Sequence, residues 1–256
     1  MKYHNSLKKL STFIFLCCFV SISYAQIINV EDKRKLFTED SIQWFEKLSL
    51  GFDLYQNNET IISLQAGAQL EFAFKNKILI SITNARFVKA GETNFVNEGF
   101  QHLRYNSRIN NWLTYELFGQ VQFNERAFVK LRALVGTGPR FRIMNKENQQ
   151  IFAGMSYMYE YDEEKNGVVH HDGRLNSYLS FNLQPADFMN LSGTLYFQPL
   201  LNSFEDYRLS AALSLSFQIS ENLSFSTQYR QTYDSRRPEG APNQIYSLSN
   251  LISYQF

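Results

Sequence analysis

Cysteine is almost absent from this chain: two occur in 256 residues, adjacent at Cys17 and Cys18. Both lie in an N-terminal apolar segment, so whatever follows it can form neither a disulfide framework nor a thiolate metal site. Beyond that segment the chain also lacks an apolar run long enough for a membrane-spanning helix, and any insertion into a bilayer must use a closed barrel. Charge of one sign is missing too. Lys and Arg number 25 against 24 Asp and Glu, a balance that gives no reason to expect a nucleic-acid partner. No Pro- or Gly-rich linker and no low-complexity tract divides the chain after about Ser41, which predicts a single domain.

The N-terminal segment itself has the layout of a cleavable export signal. Lys2, Lys8 and Lys9 form a basic start, Leu10 to Ile22 is mostly apolar, and Ser23-Tyr24-Ala25 supplies small residues at the cleavage positions. A lipidated start is disfavoured because Leu16 precedes Cys17 where a small residue is needed. The expected organisation is a signal peptide over 1–25, a short periplasmic leader over 26–41 and a barrel over 42–256.

What the remainder contains is alternation. In Thr60 to Lys75, Ile62, Leu64, Ala66, Ala68, Leu70, Phe72 and Phe74 alternate with Ser63, Gln65, Gly67, Gln69, Glu71 and Ala73. Soluble strands usually run about 5 to 6 residues, whereas a tilted membrane strand needs roughly 9 to 11. Strands are expected near 46–56, 60–75, 77–89, 98–109, 112–125, 127–143, 150–162, 173–184, 189–198, 206–219, 222–234 and 244–256. The predicted fold is therefore all-β: a transmembrane antiparallel up-and-down β-barrel of about twelve strands, an even number as bacterial barrels require. Only 77–89 is ambiguous in phase, because Ile78, Ile80 and Ile82 give way to Asn84 and Arg86.

Three further signals agree with this reading. The three longest connections, Ala90 to Asn97, Glu163 to Asp172 and Ser235 to Asn243, all fall on one end, the expected outside. Aromatic residues collect at strand ends, with Trp44, Trp112, Tyr254 and Phe256 at one rim and Tyr55, Phe123, Phe128, Tyr159, Tyr161, Tyr233 and Tyr246 at the other. The last strand places Tyr246, Leu248, Asn250, Ile252, Tyr254 and Phe256 on one face. An ending of this kind is what the barrel assembly machinery reads in outer-membrane chains. The rival is a soluble sandwich or lipocalin-like barrel, in which the apolar face points inward.

In a membrane barrel the polar face lines the lumen. It would carry His102, Arg104 and Arg108 from the fourth strand, Glu116 from the fifth, and Lys130, Arg132, Arg140 and Arg142 from the sixth. Glu160, Arg174, Arg208 and Arg230 follow from the seventh, eighth, tenth and eleventh. Glu116 should lie near Arg104 and Arg108, and Glu160 near Arg132 and Arg174, leaving a modest positive excess. Phe118, Leu134, Phe152, Met158 and Leu251 also point inward and would fill space. The row is either an anion-attracting channel wall or a set of ion pairs that fills the barrel, and the filled reading is preferred. Gly136-Thr137-Gly138-Pro139 interrupts the sixth strand and is expected to mark a bulge or bend.

Catalytic patterns are sparse. His102 is isolated, no His-x-Ser pair occurs after the N-terminal segment 1–25, and Gly154-Met155-Ser156-Tyr157-Met158 lacks the second Gly of a nucleophile elbow. His170, His171 and Asp172, near Asp162, Glu163 and Glu164, could offer metal ligands, although a solvated polar loop is the simpler reading. An enzyme is therefore not expected, nor is any cofactor or metal.

Gln26 to Glu31, Gly119 to Asn124, Leu131 to Phe141 (LRALVGTGPRF) and Tyr157 to Tyr161 resemble the outer-membrane barrels of unknown function loosely named salt-induced outer-membrane proteins, in their Bacteroidota form. The resemblance implies an outer-membrane barrel and transfers no catalytic or ligand residue. Together these readings predict a monomer in the outer membrane, surrounded by lipid and lipopolysaccharide. Three roles stay open: a structural or stress-related envelope protein, a narrow anion-favouring diffusion channel, or an outer-leaflet lipid-modifying enzyme. Deleting Phe256 is expected to impair membrane insertion, measured as loss of chain from the outer-membrane fraction; normal insertion would count against the barrel.

Overall fold

The computed structural model describes residues 42–255 apart from 57–59, 91–92 and 126. Among these residues the chain forms twelve strands: β1 Gln43–Gln56, β2 Thr60–Phe74, β3 Lys77–Ala90, β4 Thr93–Arg108, β5 Leu113–Asn124, β6 Val129–Lys146, β7 Gln149–Glu164, β8 Val169–Ala186, β9 Met189–Leu200, β10 Ser203–Gln218, β11 Leu223–Asp234 and β12 Gln244–Gln255. Every strand pairs antiparallel with its neighbours in sequence, and β1 pairs with β12 to close the barrel. The signal, the leader and Phe256 lie outside the described residues.

The direction of the alternation decides between the two barrel types. Leu48, Leu50, Phe52, Leu64, Leu70, Leu117, Leu195, Leu248 and Ile252 are exposed on the outer wall. Ser63, Gln65, Gln69, Glu71, Asn176, Ser180, Ser192, Ser249 and Ser253 are buried inside. A soluble barrel in water would have the reverse arrangement, so the wall is built for hydrocarbon. Trp44, Trp112 and Tyr254 are exposed at the end that holds β1's start, here the terminal end. Phe123, Phe128 and Tyr159 are exposed at the far end. The Tyr55 side chain lies outside the described residues.

Several expectations change in detail. Strands run further than their alternation suggested: β6 reaches Lys146 and β7 starts at Gln149, shrinking the expected 143–150 turn, and β7 and β8 leave only 165–168 between them. Loop length is consequently a weaker sign of sidedness than expected. Connections 109–112 and 219–222 at the terminal end match 165–168 at the far end, and 235–243 alone stands out. Residues 136–139 contain no bulge, since β6 keeps one register through them against both β5 and β7. Their glycines serve close packing: a Cβ on Gly136 would lie 2.4 Å from the Phe118 ring, and one on Gly138 would lie 2.2 Å from the Met155 carbonyl oxygen.

The ambiguous phase of β3 has a simple resolution. Ile80 and Ile82 point inward and pack with Phe100 as a small apolar cluster inside the barrel. Ser81 and Thr83 face outward, where Gln101 donates to Ser81 Oγ at 3.0 Å and pairs with Thr83. Their polarity is thereby satisfied on the hydrocarbon side.

Leu195 sits midway along β9 on the outer wall, 51% exposed. Leu195→Arg is expected to destabilise the vesicle-embedded barrel by about 2–4 kcal/mol, read as a lower urea midpoint. An unchanged midpoint would mean that this wall does not face lipid.

Candidate functional site

Two connected groups of charged side chains occupy the lumen. Near the far end, β7 supplies Glu160 and Asp162, β8 supplies Asp172 and Arg174, β10 supplies Asp206 and Arg208, and β11 supplies Asp234. Arg208 donates to Glu160 at 2.7 and 2.8 Å, to Asp162 at 3.3 Å and to Asp234 at 2.7 Å. Arg132 from β6 pairs with Asp162 at 2.5 Å and approaches Glu160 at 3.8 Å. Arg174 bridges Asp172 and Asp206, each at 3.1 Å, with its side chain 0% exposed. Arg236, in the 235–243 connection, pairs with Asp206 at 2.9 Å and also with Asp172.

The second group lies nearer the terminal end around Glu116. Arg104 approaches it at 3.4 Å, Arg140 at 3.7 Å, and the Tyr178 hydroxyl donates to it at 2.7 Å. Gly154 lets the Tyr178 ring in, since a Cβ there would come within 2.1 Å of it. Arg140 also lies 3.9 Å over Phe152, and Arg104 lies 5.2 Å over Phe118. His102 accepts from Arg104 Nε through Nε2 at 3.3 Å, so its proton sits on Nδ1 and is donated to Gln120 at 3.0 Å.

Strand order shows what these contacts do. Arg208 on β10 and Glu160 on β7 are separated in the wall by β8 and β9, and Tyr178 on β8 is separated from Glu116 by β6 and β7. The contacts are therefore chords across the interior. Among the described residues, small spaces lie in the lumen near them. One of about 90 Å³ lies between the chords and the 235–243 connection, bordered by Arg132, Arg208, Tyr196, Pro238 and Pro242. Another of about 30 Å³ lies beside Ser49, Gly67, Ser214, Ser216 and Arg230. The larger has room for several waters.

The structure places the expected lumen residues as follows. His102, Arg104, Glu116, Arg140, Glu160, Arg174, Arg208 and Arg230 are buried inside. Arg108, Arg132 and Arg142 are half-buried in the same phase. Lys130 is a correction. The register between β6 and β7 shifts between Val129 and Leu131, so Val129 is buried and the Lys130 side chain, 62% exposed, turns outward to Glu163 at 2.7 Å. Glu160 has Arg132 and Arg174 at 3.8 Å, but its closest partner is Arg208, which was not anticipated.

The charge is also distributed differently from the even positive excess expected. Glu160, Asp162, Asp172, Asp206 and Asp234 outnumber Arg132, Arg174, Arg208 and Arg236 at the far end, while toward the terminal end Arg104 and Arg140 meet Glu116 and Arg108 and Arg142 lie in the same phase. Asp172, Asp206, Asp234 and Arg236 were missed, although Asp172-Gly-Arg174, Asp206-Tyr-Arg208 and Asp234-Ser-Arg236 repeat one same-face spacing. His170 and His171 diverge on β8, one toward Glu164 at 2.9 Å and the other toward the Tyr159 hydroxyl at 3.0 Å. No group of three side chains able to hold a metal occurs among the described residues.

Residues 48–256 match the family described as protein of unknown function, DUF481. The chain belongs to that family. In structure, this DUF481 barrel is similar to an outer membrane channel from Pseudomonas putida F1, with a TM-score of 0.53 and 10% identity over 90% of this chain and 100% of that one. It is also similar to the NanC porin, at 0.49 and 9% over 83% and 98%. At such identities the likeness extends to the fold, that of an outer-membrane barrel. No curated protein matches the DUF481 chain.

Glu160 is 1% exposed and faces three guanidinium groups. Glu160→Gln is expected to lower stability by about 3–5 kcal/mol, because Arg208 loses its main counter-charge. The check is the chemical-denaturation midpoint in micelles; a change within 0.5 kcal/mol, roughly the scatter of neutral surface sites, would remove Glu160 from its central place.

Proposed function

We propose that this protein is a non-catalytic structural or stress-related barrel of the outer membrane, shut at rest by its own interior. The supporting observation is the pair of chords, Arg208 to Glu160 at 2.7 Å and Tyr178 to Glu116 at 2.7 Å, which cut across part of the lumen at two heights. A hydrated solute passing at these points would have to displace a buried ion pair and a buried hydrogen bond to a carboxylate. In this reading residues 1–25 direct export and are removed, the leader and the barrel rim that holds the start of β1 and the end of β12 face the periplasm, and the far rim faces outward. The last strand engages the assembly machinery, lipid and lipopolysaccharide surround the wall, and the chain works as a monomer.

The narrow channel remains a second reading because of the 235–243 connection. Its base is held by Asp234 N–H to the Asn243 carbonyl at 2.8 Å and by Tyr207 N–H to Ser235 Oγ at 2.8 Å. Its span is tied to the wall through Arg236, 40% exposed, at Asp172 and Asp206. An exposed tie of this kind is weak and screened by salt. Were it to open, solutes would meet the carboxylate-rich far cluster before the arginines around Glu116. Anion preference would then come from Arg104 and Arg140.

Planar-bilayer recording separates the two readings. The wild type is expected to give no unitary steps, and shortening 236–242 is expected to leave it silent because the chords remain. Anion-selective steps abolished by Arg132→Ala with Arg140→Ala would establish the channel instead.

A further inference from the structure

The outer wall carries a concavity larger than either lumen space described above. It is a wide, open depression of about 460 Å³ that runs across β4 to β7, lined by Leu103, Gly119, Val121, Ala133 and Val135 and ending at Tyr159 and Tyr161. The register places Leu103 opposite Gly119 and Val121 opposite Ala133, so two small residues form its floor beside larger apolar walls. Going along β7 toward Glu164, the groove climbs from the middle of the wall to the far rim. Its lower part is apolar and lies where hydrocarbon must be.

Its upper end is polar and assembled from three strands. The bulge at the start of β6 turns Lys130 out of the lumen row onto this face. Glu163 holds Lys130 Nζ at 2.7 Å, leaving two of its three ammonium protons for another acceptor. His171 from β8 is fixed between two tyrosines, with Nδ1 on the Tyr159 hydroxyl at 3.0 Å and the Tyr161 ring edge-on at 5.3 Å between centroids. Its other ring nitrogen is outside that contact. An apolar slot beneath an ammonium, an imidazole and a phenol hydroxyl has the polarity profile of an amphiphile. Glu163 balances the Lys130 charge, and the two ammonium protons it leaves are donors that suit a phosphate better than a headgroup without an anionic oxygen.

We infer that this groove is a specific site for one phosphate-bearing membrane lipid, with an acyl chain over Gly119 and Ala133 and its phosphate at Lys130 and His171. The inference rests on the membrane reading, and it gives the bulge at Val129 a purpose that lumen filling does not: a register-true β6 would point Lys130 inward. Gly119 is the place to test the slot. A Cβ there would meet only the Leu134 carbonyl oxygen, at 3.7 Å, so Gly119→Leu fills the groove without disturbing the wall.

The experiment is native mass spectrometry of the full chain in detergent micelles, supplied with dioleoyl phosphatidic acid or the matched diacylglycerol. The wild type is expected to retain one phosphatidic acid in preference to diacylglycerol. Gly119→Leu should reduce retention of both lipids about tenfold, whereas Lys130→Ala should reduce only the phosphatidic acid preference, by about fivefold. Circular dichroism of each variant checks that the sheet is intact. If Gly119→Leu with an intact sheet retains lipid like the wild type, the bound lipid is annular and the site is overturned. Unchanged preference in Lys130→Ala overturns the phosphate position, and loss of a dimer peak in Gly119→Leu would assign the groove to a second copy. A chain that stays soluble and monodisperse without detergent would instead refute the membrane reading itself.

Discussion

Closure of the sheet is the constraint from which the rest of this structure follows. In hydrocarbon an unpaired strand edge cannot be hydrated, so β1 and β12 must find each other or the sheet cannot stay in the bilayer. The seam is short. It is registered from Lys47 against Gln255 to Leu50 against Ile252, whereas β1 and β2 pair along their full length from Gln43 to Gln56. Ser49 and Ser253 add a hydroxyl contact of 2.9 Å on its inner side. With the edge removed, one face of every strand is committed to lipid and the other to a narrow interior, and the polar residues have nowhere else to go.

That commitment explains why the interior is ionic. Burying a lone guanidinium or carboxylate costs several kcal/mol, so each must arrive with a partner. The chain meets this requirement by alternating acid and base along single strands and letting long Arg side chains reach over two intervening strands. Such networks are weak evidence for net stability, because well-packed apolar residues could replace them at little loss. Their clearer consequence is geometric. They occupy much of the interior beside β5 to β10 and tie together strands that are not neighbours in the wall. Where bulk is missing, small polar side chains such as Ser214, Ser226 and Ser249 line the wall beside β12.

Much of this was legible in the residues. Strict period-two alternation over long segments located twelve strands, and their phases fixed the faces, because a one-residue slip would have turned Arg140 and Arg208 toward lipid. Three things were not legible. Bulges leave no mark in an alternating pattern, so Lys130 was assigned inward. Contacts across the lumen join residues distant in sequence and not adjacent in the sheet, so neither Arg208 with Glu160 nor Tyr178 with Glu116 could be read from neighbouring registers. The glycines of 136–138 looked like a break because close packing of Phe118 and Met155 against them is a tertiary fact. By contrast, the repeated Asp-x-Arg spacing in β8, β10 and the end of β11 was visible and is the signal that most directly marks the far cluster. It puts both charges on one face, two residues apart, at the same end of three strands.

The central claim is that polar side chains inside this barrel are sealed from solvent by one another. Ser180 on β8 is 1% exposed and points into the lumen. The decisive measurement is the labelling rate of Ser180→Cys by a charged, membrane-impermeant thiol reagent, with Cys17→Ser and Cys18→Ser in the same chain. In the folded, vesicle-embedded protein the cysteine should stay unmodified and react only after unfolding in urea. Rapid labelling of the folded barrel would show a water-filled lumen and contradict the account.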